Sequence, residues 1–206
     1  MCDISTFMNT LFSLQENHPL EPFLPPKARL LMMGSFPPPV ARWSMDFYYP
    51  NFQNDMWRIV GTVFFSNKNH FIRGNKFNQE AIENFCREKG IALYDTAAKV
   101  LREKGNASDK HLQVVEPVDL ARLLVQIPLC SCVAVTGQKA AETLLQVLAG
   151  QEFDRAPDLP RVGEYKTFHY GTRHMRLYRM PSTSRAYPMA LEKKAAFYTQ
   201  LFQEAL

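Results

Sequence analysis

The sequence predicts an α/β protein, a three-layer α/β/α sandwich around a central, mainly parallel sheet of four strands. Three short apolar runs each stop at a glycine or a polar residue, as buried strands do; they cover residues 28–33, 91–94 and 130–135. Segments with a helical period separate these runs, and this alternation is typical of a parallel sheet covered by helices. A pair of alternating segments at 165–170 and 174–179, joined at Gly171-Thr172, predicts a hairpin or strand pair.

Six segments carry a helical period or helix-ending signals. Gly90 and Gly150 follow two of them, where glycine commonly ends a helix, and Asn54 and Asp55 precede another as N-cap residues. The predicted helices cover residues 4–15, 55–65, 79–89, 117–125, 138–148 and 189–206. We expect a polar, basic loop at 67–75 and a stretch at 96–110 that is basic and turn-rich after its first turn.

Length and composition indicate one domain over residues 1–206. With 46% hydrophobic and 21% charged residues among 206, the chain can bury a core without metals or disulfides. Its four cysteines lack the C-x-x-C spacing of zinc and iron–sulfur sites, so we expect no metal and no cofactor. The N-terminal stretch does not resemble a signal peptide, and no run approaches the ~18 apolar residues of a membrane span. We therefore expect a cytoplasmic protein that binds no membrane.

The most informative stretch for function is the loop that follows the first predicted strand. Three prolines at 37–39 stiffen it, and an aromatic cluster interleaved with Asn and Gln side chains follows at 43–54. Open α/β sheets bind ligands at the carboxyl ends of their strands, where this loop would lie. The alternative is a proline-stiffened lid whose aromatic side chains pack on the sheet.

The other predicted strand ends contribute small, hydroxyl-bearing and acidic residues. These are Tyr94-Asp95, Thr136-Gly137-Gln138 and the segment 180–185. No Ser-His-Asp order, G-x-S-x-G turn or phosphate-binding glycine loop accompanies them, and His169 and His174 fall in the predicted hairpin. The pattern favours chemistry by positioning, stacking and a polarised water over chemistry by a covalent nucleophile.

Five sequence blocks, in order from about residue 30 to the C-terminus, resemble the uracil-DNA glycosylase superfamily. They read GSFPPP, YYPNFQNDMW, IALYDTAAKVLREKGNASDKH, CVAVTGQKA and MPSTSRA. The branch they resemble most contains the hypoxanthine-DNA glycosylases and relatives of the mismatch-specific enzymes. The resemblance implies a uracil-DNA glycosylase-like fold in which the first loop holds an extruded base and the P-S-T-S loop enters the minor groove.

The resemblance implies roles for residues of the first loop. Asn54 matches the catalytic residue, whose amide would orient or polarise the attacking water; its alternative role is a helix N-cap. Tyr49 matches the aromatic residue that stacks on the base, with core packing as the alternative. Gly34, Ser35 and Phe36 match the floor of the base pocket.

Asp95 lies where the classical uracil enzymes read the base with an asparagine. A carboxylate accepts hydrogen bonds, so it suits the ring N–H of hypoxanthine, xanthine or uracil; its alternative role is to cap the following turn. Three residues depart from the family pattern. Phe36 replaces a catalytic Asn or Asp, Pro38 replaces a glycine, and Met180 replaces a histidine that stabilises the departing base.

The P-S-T-S loop is the predicted DNA-binding element. Its residues Pro181, Ser182, Thr183, Ser184 and Arg185 would contact phosphates, and the segment 185–187 would fill the gap left by the base. Basic or polar residues elsewhere are further candidates for phosphate contacts, namely Lys139, Lys104, Asn106 and Lys110.

These observations predict a monomeric, monofunctional DNA glycosylase that hydrolyses the N-glycosidic bond of a deaminated base, hypoxanthine or uracil, in DNA. Its partner would be DNA that contains such a base. Two alternatives remain open: an inactive nucleic-acid-binding protein of the same fold, and a hydrolase or binding protein for free nucleosides or nucleotides. The net charge of +4 is compatible with a polyanionic partner without requiring one.

Overall fold

A five-stranded mixed sheet forms the centre of the protein in the computed structural model, which describes residues 15–102, 112–150 and 157–206. The strands are β1 Gln15–Asn17, β2 Leu30–Gly34, β3 Ile72–Arg73, β4 Lys76–Phe77, β5 Ile91–Asp95, β6 Ala97–Arg102, β7 Leu112–Pro117, β8 Cys132–Thr136, β9 Tyr165–Tyr170 and β10 Arg173–Met180. The helices are α1 Met56–Phe65, α2 Gln79–Lys89, α3 Leu120–Gln126, α4 Gln138–Gly150 and α5 Leu191–Ala205. A short 3-10 helix covers Val40–Arg42.

The central sheet has the strand order β5-β2-β8-β10-β9. The first three of its pairings are parallel, and β9 pairs antiparallel with β10 through the predicted hairpin. The predicted count of four strands is therefore short by one. Both arms of the hairpin join this sheet, and β9 is an edge strand with one buried side chain, Phe168, so it lacks the apolar run that marks the inner strands.

Two apolar cores cover the two faces of the sheet. Leu30 and Met32 face the core that contains α1, α2 and α5, while Leu31 and Met33 face the core that contains α3 and α4. Successive residues of a strand point to opposite faces, so a run that is apolar at every position is buried on both sides. Helices on both faces make the three layers that the alternation of strands and helices predicts.

A second, three-stranded sheet, β1-β6-β7, lies beside the cavity described below. The stretch at 96–110, expected to be basic and turn-rich after its first turn, is instead strand β6 up to Arg102, with Ala97 and Val100 buried. The rest of that stretch, at 103–110, lies outside the described residues. So does the predicted helix at 4–15, except for Gln15, which begins β1. The expected loop at 67–75 contains β3 of the small β3–β4 hairpin.

Helix boundaries follow local capping. Helix α3 begins at Leu120 instead of residue 117, because β7 extends to Pro117 and the Asp119 side chain accepts a hydrogen bond from the Arg122 N–H at 2.9 Å. Helix α2 ends at Gly90, which has φ of 73° and caps the helix in the left-handed conformation. Within the described ranges, no helix has the length and apolar character needed to cross a membrane.

Candidate active site

A cavity of about 510 Å³ opens at the carboxyl ends of the parallel strands. The ends of β2, β5 and β8 and the segment after β10 all reach it, as expected for an open α/β sheet. Its lining residues are Leu20, Gly34, Ser35, Phe36, Pro37, Pro38, Arg42, Tyr48, Tyr49, Pro50, Asn51, Gln53, Asn54, Asp95, Thr136, Ser182, Thr183, Ser184, Arg185 and Ala186.

Gly34 provides a floor without a side chain. Strands β2 and β5 are in register, so Gly34 lies beside Asp95. A Cβ at Gly34 would lie 2.6 Å from Asp95 Oδ1 and 3.7 Å from Tyr49 Cε1. Any larger residue would therefore displace the carboxylate, so glycine at this position permits the close approach of Asp95 and Tyr49 to the floor of the cavity.

Asp95 is nearly buried and is paired with a histidine that the sequence did not suggest. Its Oδ2 lies 3.0 Å from His18 Nε2, and the side chains are 9% and 2% exposed, respectively. Strand β1 brings His18 to this position, since its pairing with β6 continues into a bond from the His18 N–H to the Ala98 carbonyl at 2.8 Å. The side-chain partner of Asp95 is thus His18 and not the turn that follows β5, which was the alternative role.

Tyr49 forms one wall of the cavity in an unusual backbone conformation. Its φ is 52°, in the left-handed region that non-glycine residues seldom adopt. The ring packs edge-on against Trp57, and the hydroxyl lies 3.3 Å from Thr136 Oγ1. Burial, followed by the charge of Asp95, raises the pKa of Tyr49 above its ordinary value, so the phenol is neutral.

Asn54 lines the cavity at the start of α1. Its Oδ1 accepts a hydrogen bond from the Met56 N–H at 2.9 Å, while its backbone N–H donates to the Asn51 carbonyl at 2.7 Å. Asn54 thus satisfies the first free amide of α1, although Asp55 occupies the N-cap position and its own side chain makes no capping bond. In the described ranges no partner binds Asn54 Nδ2, which leaves the amide N–H groups for a ligand or a water.

The P-S-T-S loop is fixed through its carbonyl groups. The Tyr198 hydroxyl donates to the Pro181 carbonyl at 3.0 Å, the Asp55 N–H to the Thr183 carbonyl at 2.9 Å and the Lys194 ammonium to the Ser184 carbonyl at 2.8 Å. Gly137, with φ of 96°, allows the loop to approach closely, since a Cβ there would lie 3.4 Å from Ser182 Cβ. The loop is held by α5 and by the start of α1.

Two serine side chains of this loop complete local turns. Ser182 Oγ accepts a hydrogen bond from the Ser184 N–H, and Ser184 Oγ accepts one from the Ala186 N–H, both at 3.2 Å. Because each oxygen is occupied as an acceptor, each hydroxyl hydrogen can point away from the loop. Ser184 is exposed and Ser182 half-buried, so both hydroxyls can donate to an anion at the rim of the cavity.

A buried ion-pair cluster joins the first loop to the P-S-T-S loop. Asp55 Oδ2 lies 2.9 Å from Lys194 Nζ, and Asp55 Oδ1 lies 3.3 Å from Arg185 Nε. The Lys194 side chain is 1% exposed, whereas that of Arg185 is 47% exposed and also donates to Gln53 Oε1. A charge as deeply buried as Lys194 requires a partner, and Asp55 supplies it.

Most of the predicted site residues meet at this cavity. Gly34, Ser35, Phe36, Tyr49, Asn54, Asp95 and the loop residues Ser182 to Arg185 all line it. Pro181 and Lys139 do not, although Pro181 is buried at the base of the loop and Lys139 lies in the first turn of α4. Lys104, Asn106 and Lys110 lie outside the described residues.

Three residues differ from the glycosylases that the sequence resembles, and the structure shows the surroundings of each. Phe36 lines the cavity and packs against β6 and the His18 ring, whose centroid is 5.3 Å away. The Pro38 carbonyl accepts a hydrogen bond from Trp43 Nε1 at 2.7 Å, which braces the proline segment. Met180 is buried in the core and does not line the cavity.

Sequence reasoning missed His18 and Lys194. His18 follows the segment predicted as a helix, and its partner is 77 residues away, so no local pattern connects the two. Lys194 carried a usable signal, because it occupies the apolar face of α5 with Ala195, Tyr198 and Leu201 at helical spacing. A lysine on an apolar face indicates a buried charge with a partner.

Comparisons with known proteins agree with this architecture. Neither the protein-family models nor the curated proteins contain a match to the chain. Among solved structures, the fold is similar to the solution NMR structure of a candidate uracil DNA glycosylase from Methanosarcina acetivorans, with a TM-score of 0.61 and 18% sequence identity. The similarity covers 90% of this chain and 96% of that chain. The protein therefore has the α/β fold of that structure.

Proposed function

We propose that the protein is a DNA glycosylase that hydrolyses the N-glycosidic bond of a deaminated base. The observation that carries this proposal is the meeting of four groups at one cavity: the Tyr49 ring, the Asp95 carboxylate, the Asn54 amide and the hydroxyl loop at 182–184. The ring would stack on the extruded base, and the carboxylate would form a hydrogen bond to it. The amide would lie near the glycosidic bond, and the hydroxyl loop would bind the phosphates. The shared fold supports the same reading.

An extruded base would stack on Tyr49 and meet Asp95 over Gly34. Glycine at position 34 lets the Asp95 carboxylate approach the floor of the cavity closely, because an added Cβ would lie 2.6 Å from Oδ1. A carboxylate accepts the ring N–H of hypoxanthine, xanthine and uracil, as it would that of guanine and thymine, whereas adenine and cytosine present a bare ring nitrogen. We propose hypoxanthine or uracil, the deamination products of adenine and cytosine, as the substrate base for this reason.

The reaction consists of one displacement by water. The bond between sugar C1′ and the base nitrogen breaks, the electron pair leaves with the base, and a water oxygen bonds to C1′ while its proton is transferred to the base or solvent. Asn54 would orient that water through the free lone pair of Oδ1 or stabilise the departing base through Nδ2–H. The existing bond from the Met56 N–H fixes the amide before substrate binds.

Phosphate contacts would come from the rim of the cavity. The Ser182 and Ser184 hydroxyls each have their acceptor side occupied, so they are oriented to donate to phosphate oxygens. Arg185 is half-exposed at the same rim and adds a positive charge, although Asp55 and Gln53 already bind part of its guanidinium. Contacts of this kind are made to the DNA backbone, so they do not depend on the base sequence.

We propose hydrolysis without strand cleavage. Of the described residues that line the cavity, none is a lysine that could form a Schiff base with the sugar, and Lys194 is bound to Asp55 and the Ser184 carbonyl. Met180 is buried in the core, so it does not replace the histidine contact of the classical uracil enzymes. The Asn54 amide then carries more of the charge stabilisation.

The proposal is tested with duplex and single-stranded oligonucleotides that contain one uracil, hypoxanthine or xanthine. After incubation, alkali cleaves the strand at abasic sites, and an untreated sample detects any strand cleavage by the protein itself. We expect base release that depends on alkali for strand scission, and none from an undamaged oligonucleotide. DNA binding without release of any base would instead identify a nucleic-acid-binding protein. A parallel incubation with free deoxyuridine and deoxyinosine tests the third alternative, which release from these nucleosides alone would identify.

A further inference from the structure

The two oxygens of the Asp95 carboxylate differ in their surroundings. Oδ2 lies 3.0 Å from His18 Nε2, whereas within residues 15–102, 112–150 and 157–206 no donor binds Oδ1. Oδ1 lies against Gly34, where an added Cβ would be only 2.6 Å away. Both residues line the cavity, so the oxygen without a partner borders the space that a ligand would occupy.

The surroundings of His18 determine which of its nitrogens carries hydrogen. Nδ1 lies 2.8 Å from the Leu20 carbonyl oxygen and 3.2 Å from the Leu20 amide nitrogen. Because a carboxylate only accepts hydrogen bonds, the bond to Asp95 places a hydrogen on Nε2, whichever group of Leu20 Nδ1 meets. A hydrogen on Nδ1 alone would leave two lone pairs facing each other between the ring and the carboxylate.

The imidazole ring is fixed before any ligand binds. Its side chain is 2% exposed and contacts Tyr94, with ring centroids 4.6 Å apart, and Phe36, at 5.3 Å. The backbone bond from His18 to Ala98 holds the residue at the end of β1. Neither the ring nor the carboxylate it holds is free to turn when the cavity fills.

We infer that His18 is a positioning residue that fixes Asp95 as a hydrogen-bond acceptor toward the cavity. The site then selects a base that presents a ring N–H at this point, and it disfavours a base that presents a bare ring nitrogen, because two lone pairs would meet. The inference rests on the proposed function only in that the ligand is an extruded base. It adds His18 as the residue that keeps Asp95 a hydrogen-bond acceptor toward the base.

The test compares two bases that differ at this edge. Oligonucleotides carry hypoxanthine, which has a ring N1–H, or unsubstituted purine, which has a bare N1. Affinity is measured by fluorescence anisotropy, and base release is measured in single turnovers. The quantity compared among variants is the hypoxanthine-to-purine ratio, so differences intrinsic to the two bases cancel.

His18→Phe keeps an aromatic ring in the same packing and removes the donor. We expect the preference for hypoxanthine to fall by about tenfold or more, the scale of one hydrogen bond to a charged group, because purine makes no such bond to lose. His18→Gln retains an N–H near the position of Nε2 and should keep most of the preference. Asp95→Asn should reverse it, since His18 would hold the amide oxygen and turn the NH2 group to the cavity.

The matched control is His174→Phe, which replaces an exposed histidine on β10 outside the cavity and should leave the ratio unchanged. Equal ratios in wild type and His18→Phe would overturn the inference, as would equal weakening of both bases without recovery in His18→Gln. If His18→Phe does not fold, His18→Gln and Asp95→Asn decide between the two outcomes. If wild type releases no base, the proposed function fails, and the affinity ratios still decide the role of His18.

Discussion

At the scale of single residues, Asn54 has two roles that alanine would remove together. Its Oδ1 caps the first turn of α1 through the Met56 N–H, and its amide also borders the cavity. An alanine variant therefore loses helix stability and a polar cavity group at once. A residue that caps the helix but is too short to reach the substrate separates the two roles.

We expect Asn54→Ala and Asn54→Ser to reduce base release by a similar factor, ~10²-fold or more, the cost of losing one preorganised polar group. Serine is a good N-cap residue, so only the alanine variant should also lose about 1 kcal/mol of stability. Single-turnover release and urea unfolding of both variants give the two numbers. Full activity in the serine variant would assign Asn54 to the helix cap alone.

Gly34 leads to a second expectation at this scale. In Gly34→Ala the new methyl group meets Asp95 Oδ1 at 2.6 Å, so the carboxylate must move and the gap beside Tyr49 must narrow. Overpacking of this kind costs about 1–3 kcal/mol. We expect lower stability and weaker binding to DNA that contains the damaged base. Gly150→Ala is the matched control, because among the described residues, its own helix backbone and chain neighbours aside, no atom lies within 4 Å of its added Cβ and stability should not fall.

At the scale of elements, the two loops that form the cavity depend on α5. Asp55 at the start of α1 binds Lys194 of α5 and Arg185 of the P-S-T-S loop, so one carboxylate connects three elements. Lys194 adds a bond to the Ser184 carbonyl, and Tyr198 one to the Pro181 carbonyl. The position of the loop is thus set by a helix that contributes no residue to the cavity lining.

Lys194→Met should destabilise the protein by about 3 kcal/mol, the lower end of the cost of removing one partner of a buried pair, since Arg185 still neutralises Asp55. Lys193→Met changes the exposed neighbouring lysine and should alter stability by less than about 0.5 kcal/mol. Urea unfolding measures both. Similar values for the two variants would show that the buried ion pair contributes little.

At the scale of the whole molecule, the sequence predicted the buried strands well. Strands β2, β5 and β8 are continuous apolar runs that end at a glycine or a polar residue, so their positions follow from composition alone. Strand β6 was missed because its sequence AAKVLR lacks a two-residue alternation and contains Lys99 and Arg102 in a basic segment. Its pairing with β1 joins distant parts of the chain, which no local pattern reports.

The site was predictable to the same extent. Residues within one block, such as Asn54 and Tyr49 or Ser182 and Ser184, could be grouped from the sequence because they share a loop. The pairs His18–Asp95 and Asp55–Lys194 could not, since each exists only after the sheet has brought distant segments together. His18 and Lys194, which were not predicted, are the residues that hold the predicted site residues in place.

The buried thiols predict how the stability of the whole molecule varies with pH. Burial raises the pKa of Cys130 from 9.0 to about 12 and also raises the pKa of Cys86. Above pH 9 the unfolded chain releases these protons while the folded protein retains them, so stability is full below pH 9 and falls as pH rises. Cys130→Ala should reduce that slope by up to about 1.4 kcal/mol per pH unit, whatever it does to stability at pH 7. Urea unfolding between pH 8 and pH 10.5 gives the slope, and an unchanged slope would contradict it.

The connection between α5 and the P-S-T-S loop has a consequence for how the protein opens. Three loop carbonyls are held by Tyr198, Lys194 and the Asp55 N–H, so the loop detaches only when its bonds to both α5 and the start of α1 are broken. We therefore expect the rim of the cavity and the last helix to open as one cooperative unit, with amide protons that exchange with solvent at a common free energy in a hydrogen-exchange measurement. Opening of α5 is, in this sense, an event at the rim of the cavity.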